Sequence, residues 1–566
     1  MKSLRLRQSR VDLLFLSLMI LAVWLPRGLA LDRFVTVDEP KWLARSGNFF
    51  SALVKGDFAG TFTREHPGVT VTIAGTAALL WQDPTYPQEV TKRLTNSSEI
   101  KPILRGQGIQ PMAVLEAGRI LMVLAITATL AVTFWQAARL SGWWMASAGF
   151  LLIAFDPFHI GLSRLLHLDG LMSSLMLLSI LAYLSYLFHP NESSNRKTVS
   201  VVLSGMAAGL SWLTKSPAFF LAPFLGLITL IMVAYGWVGR RRIVLRDLWK
   251  AGGVLVLWAI VGWLVFFILW PAMWVNPLGS LERVFAEATT YASEGHTTDI
   301  FFNGAVISGD PGLRFYPLVY LWRTTPVVLV GLGFTGLSFI LRPESEAERK
   351  SRWVAAALLF FAATFSVFMT LGSKKFDRYL LPIFPALDLV AGIGWVIAAR
   401  WFIRSWRSTL SLVFVFLILG LACVIQGYSA LMTYPYYLSY YNPIMGGSAK
   451  APQVMMIGWG EGLDQAARYL NTKPNAKSMR VMSWYPDGPF SYIFNGETIG
   501  LAPEWDQNKT RIENSNYVVL YIHEWQREIP FPEMLDYFSK LQPEKVITIN
   551  GLNYAQIYNM KGAIPP

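Results

Sequence analysis

The sequence predicts an all-α polytopic membrane protein of about eleven transmembrane helices. Interfacial helices are expected in its first outside loop, and a small extracytoplasmic α/β domain at its C-terminus. Three observations predict this class. Of 566 residues, 53% are hydrophobic and only 15% are charged, against about 25% charged in a typical soluble domain. The apolar residues come in runs of roughly 18 to 25, long enough to cross about 30 Å of hydrocarbon as helix. Basic residues crowd into alternate connections between these runs.

The runs place spans at about 12–30, 112–136, 142–158, 170–188, 199–214, 217–237, 252–275, 317–341, 353–371, 378–399 and 409–432. The first follows Lys2, Arg5, Arg7 and Arg10 and has the outline of a signal peptide. No small-x-small cleavage site follows it, so it reads as an uncleaved helix. An odd number of spans puts the termini on opposite sides. The N-terminus and the even-numbered connections hold nineteen Lys and Arg, among them Arg139, Arg240, Arg241 and Arg349; the short connections of the other face hold five, Arg164, Lys215, Lys374, Lys375 and Arg378. The positive-inside rule then makes the N-terminus cytoplasmic, in a multi-pass protein of the cell membrane, with 31–111, 276–316 and 433–566 outside. The net charge of +13 is explained by this orientation rather than by nucleic acid. A single cysteine, Cys423, excludes disulfides within the chain and any Cys-based metal site.

Within 31–111, two apolar patches (Trp42 to Val54 and Val69 to Trp81) predict helices lying in or dipping into the membrane interface, the first with Trp42, Phe49 and Leu53 on one face. From about 433 the chain turns polar and rich in Tyr, Pro, Asn and Gly, with strand-like runs such as 516–525 and a helix over 461–471. The division is a transmembrane domain over 1–432 and an α/β domain over 433–566. No internal repeat supports an inverted-repeat transporter.

The outside connections carry ionisable residues close to span ends, where charge is costly and tends to mark function. They are Asp38 and Glu39; Glu65 and His66; Arg164, His167 and Asp169; Lys215; and Lys374, Lys375, Asp377 and Arg378. Each has a structural alternative. Asp38, before Glu39 and Pro40, suits a helix N-cap. Arg164 suits an interfacial anchor and Asp169 the cap of the fourth span, His66 suits a loop, and the lysines suit a membrane boundary. A helix N-terminus lowers the pKa of Asp38 and burial raises it, and the sequence leaves that balance open.

The stretches "VDEPKWLARSGNFF", "REHPGVTV" and "SRLLHLDGLMSSLMLLS", in this order across the first four spans, resemble the GT-C glycosyltransferases, in particular the protein O-mannosyltransferases and the lipid A aminoarabinose transferases (family 39-like). "LTKSP" and "KKFDRYLLPIFPALDLVAG" are similar to later segments of bacterial members. The resemblance implies a catalytic carboxylate at the Asp38–Glu39 pair, a second motif at Glu65–His66–Pro67, an Arg-x-x-x-x-Asp motif at Arg164 and Asp169, and inversion at the anomeric carbon. The second motif departs from the usual pattern, with Gly68 for the second proline and His66 where the aminoarabinose transferases carry lysine. That leaves open a divalent metal ion held by Glu65 and His66.

The chemistry agrees independently. A transferase outside the cytoplasm has no nucleotide sugars and needs a lipid-linked donor such as a polyprenyl phosphate sugar. Asp38 is the candidate general base with Glu39 as helper or metal ligand. Arg164, Lys215, Lys374, Lys375 and Arg378 are candidates to hold the departing phosphate, and Asp169 to orient Arg164 or the sugar. The expected activity is hexosyl or pentosyl transfer to a lipid, protein or glycan acceptor, with no nucleic acid partner. A transporter or flippase of polyprenyl-linked lipids and a non-catalytic receptor are the alternatives; both leave charges at span ends on one face unexplained.

Overall fold

The computed structural model describes residues 2–64, 66–86, 93–240, 244–343, 345–405, 410–502 and 504–560. Helices dominate up to Thr433, and each of the eleven predicted segments is helical. Eleven straight spans do not result. Among the described residues six helices are long and apolar enough to cross a membrane: Pro111–Ser141, Leu168–Phe188, Ser216–Gly239, Leu245–Leu269, Glu346–Leu371 and Ile383–Phe402. Three more segments are broken pairs bent by 67°, 111° and 108°, which gives up to nine. Two bends fall where a proline begins the second helix, at Pro157 and Pro326, since proline removes a backbone donor and excludes helical geometry just before itself. The remaining two segments are helices, Lys2–Gly28 and Ser194–Thr214, and neither is a candidate span among the described residues.

Small residues let the helices approach closely, as membrane packing requires. A Cβ on Gly392 would lie 2.2 Å from the backbone nitrogen of Gly149, so helices Ile383–Ser405 and Trp143–Ala154 touch backbone to backbone. At one end of the bundle Arg139 pairs with Glu192 at 2.8 Å, and Lys350 meets His189. The candidate site residues gather at the other end.

The two patches of 31–111 form helices Glu39–Val54 and Val69–Gln82. Their apolar faces do not lie free as expected of interfacial helices. Trp42, Leu43 and Phe49 of the first and Val71, Ala78 and Leu79 of the second are buried in the protein core, while Val54 and Trp81 stay exposed. The loop 276–316 contains a hairpin, β1 (His296–Phe302) and β2 (Ala305–Gly309), closed by Asn303-Gly304 with both residues at positive φ.

After Thr433 the chain forms a five-stranded mixed sheet in the order β4-β3-β5-β7-β6. The strands are β3 (Arg480–Ser483), β4 (Glu497–Ile499), β5 (Tyr517–Tyr521), β6 (Lys545–Ile549) and β7 (Leu552–Asn559). β4, β3 and β5 run parallel, while β7 is antiparallel to β5 and β6. The strand run expected over 516–525 ends at Tyr521, where helix Ile522–Arg527 begins. The predicted helix is present as Leu463–Asn471. Alternation along the strands divides the sheet faces. Met482, Val518 and Leu520 face helices Trp505–Glu513 and Pro532–Ser539 through Ile512, Met534 and Phe538. Val481, Val519, Tyr521 and Ile557 join a single core that continues into the helical bundle.

Candidate active site

Pro40 and Glu39 open helix Glu39–Val54 with Asp38 at its N-cap position. The Asp38 side chain makes no capping hydrogen bond. It turns instead to two cations and a histidine: Lys41 Nζ at 3.1 Å, Arg378 Nη2 at 3.4 Å and His167 Nε2 at 3.8 Å. Burial pushes this carboxyl up, but Arg378, Lys41 and His167 together outweigh it and hold it down at about 2.

Glu39 points elsewhere, and the expectation that it assists Asp38 or holds a metal does not fit its position. Its side chain is 0% exposed and forms a two-pronged ion pair with Arg119, at 2.7 Å (Nε to Oε1) and 2.6 Å (Nη2 to Oε2). The backbone N–H and the hydroxyl of Thr36 donate to Oε2, and the N–H of Leu166 donates to Oε1 at 3.0 Å. Burial raises the Glu39 carboxyl, and Arg119 with these donors brings it below its ordinary value. Arg119 also donates to the carbonyls of Leu31, Arg33 and Phe34. The pair therefore fastens the loop before Asp38 to helix Pro111–Ser141.

Asp169 binds Lys215 Nζ at 2.7 Å, lies 3.2 Å from His167 Nδ1 and 3.8 Å from Arg378 Nε. His167 thus stands between the two carboxylates. Arg164 takes no part in this group, contrary to the expected partnership with Asp169. It is buried and donates to the carbonyls of Leu29, Ala30 and Pro435, bracing the left-handed turn at Ala30 after the first helix. Lys375 is also turned away, fully buried against Asp310. Lys374 stays at the site, its Nζ 3.9 Å over the Tyr291 ring, and Lys215 lies 4.2 Å over Tyr379.

Glu65 lies outside the described residues. His66 meets the Ser216 hydroxyl at 3.0 Å and the edge of Tyr291. Burial, with Lys215 and Arg64 adding to it, pushes His66 down to about 3, so its imidazole is neutral. Among the described residues no three His, Cys, Asp or Glu side chains converge as a metal site.

Three cavities meet around these residues. Among the described residues, a chamber of about 260 Å³ is lined by six cationic side chains, Lys41, Arg45, Arg64, Lys215, Lys374 and Arg378, and one carboxylate, Asp38. It shares His66, Lys215, Tyr291, Lys374 and Tyr379 with an apolar groove of about 230 Å³. The groove runs beside Phe368 and Leu371, which are 41% and 79% exposed on the apolar helix Glu346–Leu371. On its other side the chamber shares Asp38, Lys41, Phe376 and Arg378 with a cavity of about 650 Å³ roofed by the C-terminal segment.

That roof supplies residues that the sequence did not mark. Trp459 lies 4.5 Å from the Arg378 guanidinium and edge-on to His167 at 5.0 Å. Its loop reads Gly458-Trp459-Gly460-Glu461-Gly462, and a Cβ on Gly460 would sit 2.1 Å from the Val35 carbonyl, so only glycine allows this approach. Gly488 likewise abuts Pro40, at 2.1 Å from a would-be Cβ to Cγ. Arg119 was also missed, although a lone arginine within an apolar run is a usable signal. Lys41 and His167 were visible but carried no assigned role.

No protein-family model matches the sequence, and no curated protein matches it. Similarity appears in structure. The chain is similar to ArnT from Cupriavidus metallidurans bound to undecaprenyl phosphate, with 12% identity and a TM-score of 0.51 over 99% of each chain. Archaeal oligosaccharyltransferase AglB from Archaeoglobus fulgidus, in complex with an inhibitory peptide and a dolichol-phosphate, gives 12% identity and a TM-score of 0.45 over 92% of this chain and 70% of that one. The S. cerevisiae protein O-mannosyltransferase Pmt1-Pmt2 complex gives 14% and 0.35 over 48% and 34%. The likeness to ArnT, which runs the length of both molecules, shows that this chain shares the fold of that protein.

Proposed function

We propose that the protein is a membrane glycosyltransferase that moves a hexosyl or pentosyl unit from a polyprenyl-phosphate-linked donor to an acceptor on the extracytoplasmic face. The observation that carries this reading is the continuity of the three cavities: Lys215 and Lys374 join the groove to the chamber, and Asp38 and Arg378 join the chamber to the roofed cavity. An apolar groove suits an isoprenoid chain, and a strongly cationic chamber beside it suits the phosphate to which that chain is joined. Asp38 stands where chamber and roofed cavity meet. The polyprenyl phosphate recorded with ArnT fits the same reading of the groove and chamber.

In the proposed step, an acceptor oxygen enters from the roofed cavity and attacks the anomeric carbon. The bond from that carbon to the phosphate oxygen breaks, and its electron pair leaves with the polyprenyl phosphate. The acceptor proton passes to Asp38. Attack from the cavity opposite the phosphate chamber inverts the anomeric centre. Lys215, Lys374 and Arg378 meet the developing phosphate charge, each such contact being worth about 10²–10³ in rate. Asp38 held near 2 is a weak base in this state. A donor phosphate that draws Arg378 toward itself removes the first of the opposing cations and raises Asp38 when a base is needed. His167 and Asp169 position Lys215 and Arg378; Glu39, Arg164 and Lys375 hold the surrounding backbone.

The reading takes the N-terminus as cytoplasmic and the C-terminal segment as extracytoplasmic, following the distribution of basic residues. It requires no divalent ion, because fixed cations already surround the phosphate position. The test is sugar transfer by purified protein from a radiolabelled polyprenyl phosphate sugar. Retained transfer after Asp38→Asn contradicts the assignment; loss of about 10²–10⁴ supports it.

A further inference from the structure

The roofed cavity differs from the phosphate chamber in charge and in wall chemistry. Among the described residues its four cations, Lys41, Arg323, Arg378 and Arg527, share its walls with four carboxyl groups, Asp38, Asp299, Asp377 and Glu461. Arg323 binds Asp377 at 2.7 Å, and Lys41 and Arg378 turn to Asp38. Little cationic surplus is left for a second phosphate, unlike the chamber next door. At about 650 Å³ the cavity falls within the roughly 300–1,000 Å³ typical of small-ligand sites.

The C-terminal segment presents three aromatic rings to it, Trp459, Trp484 and Tyr485. Trp484 and Tyr485 directly follow β3, and His523 lies two residues after β5. These are carboxyl ends of parallel strands, where open α/β sheets bind their ligands. The indole N–H of Trp484 and Nε2 of His523 are shielded from solvent; Trp484 approaches the Tyr485 side chain and His523 the Gly458 backbone, but neither atom completes a well-aligned hydrogen bond. His523 is 2% exposed, lines the cavity, and has its other ring nitrogen 2.7 Å from the Tyr485 hydroxyl. Burial, with Arg527 adding to it, pushes His523 down to about 3, so this is a neutral hydrogen-bonding group.

Flat aromatic faces, two unused polar groups and balanced charge match the apolar faces and hydroxyl rims of sugar rings. An anionic glycolipid headgroup would require unmatched cations, and an extended peptide would require exposed backbone pairing partners. We propose that the acceptor is an uncharged saccharide, stacked on Trp484 and Tyr485 and hydrogen-bonded by Trp484 and His523, with one hydroxyl delivered past Trp459 to Asp38. The proposal rests on the glycosyl-transfer reading of the site and names the acceptor class.

The experiment uses the full chain in lipid nanodiscs with two separate readouts. One is binding of fluorescently labelled neutral oligosaccharides of glucose, galactose, mannose and N-acetylglucosamine, beside a Ser/Thr peptide library and a bisphosphorylated glycolipid. The other is binding of polyprenyl phosphate. Saturable binding of a neutral saccharide is expected, weakened about tenfold by Trp484→Ala and severalfold by His523→Gln, and largely kept by Trp484→Phe. Polyprenyl phosphate binding should stay unchanged in all three variants, which certifies their fold. No saccharide binding, equal saccharide binding by wild type and Trp484→Ala, or preferential binding of peptide or phosphorylated glycolipid overturns the proposal. Failure to bind polyprenyl phosphate at all would instead overturn the glycosyl-transfer reading.

Discussion

Asp38 and Glu39 are chemically near-identical neighbours with opposite surroundings. Successive residues at a helix start diverge by about 100°, so one carboxylate faces the cavities and the other the core. Two predictions separate them. Asp38→Asn should abolish transfer and leave the thermal midpoint in detergent near that of wild type. Glu39→Ala should lower stability by about 3–5 kcal/mol in a denaturation series, because it strands a buried Arg119. A third prediction concerns pH. A base must be deprotonated to act, and a lowered pKa extends its working range downward. With Asp38 held at about 2, kcat/KM for the donor should show no acid limb due to Asp38 through mildly acidic pH. In Arg378→Gln, burial is less opposed, and that limb should move up by about one to three pH units.

At the scale of elements, the roof is fitted to the start of helix Glu39–Val54. Gly488→Ala would drive a methyl group into Pro40 and shift Asp38 against the roofed cavity. Transfer should fall by up to about a hundredfold, while polyprenyl phosphate binding, measured in parallel, should hold. Helix positions were legible because apolar runs and amphipathic spacing report burial directly. The hairpin at Asn303-Gly304 was also legible in principle, since that dipeptide is a strong turn signal. Bends were less so: Pro157 and Pro326 mark them, but the resulting angles depend on what each half packs against. The division of labour among charges was not legible. Arg164 and Lys375 stand beside site residues in sequence, yet buried carbonyls and Asp310 turn them away. Such pairings join positions far apart in the chain, as Glu39 and Arg119 do, and no local pattern encodes them.

Across the whole molecule, the core runs unbroken from the helical bundle into the C-terminal sheet, and the candidate site lies at that junction. An apolar groove, a cationic chamber and a roofed cavity follow one another there, with Asp38 at the boundary of the last two. On the proposed reading the chamber's own cations meet the donor phosphate, so EDTA should leave transfer unchanged in an assay where Lys374→Ala and Lys215→Ala depress it. The most direct measurement is single-turnover transfer from a radiolabelled polyprenyl phosphate sugar, with wild-type protein, Asp38→Asn and Arg378→Gln compared at saturating donor. Release of polyprenyl phosphate coupled to sugar transfer in the wild type, lost in Asp38→Asn and slowed in Arg378→Gln, is the predicted result. Transfer by Asp38→Asn at the wild-type rate would contradict it.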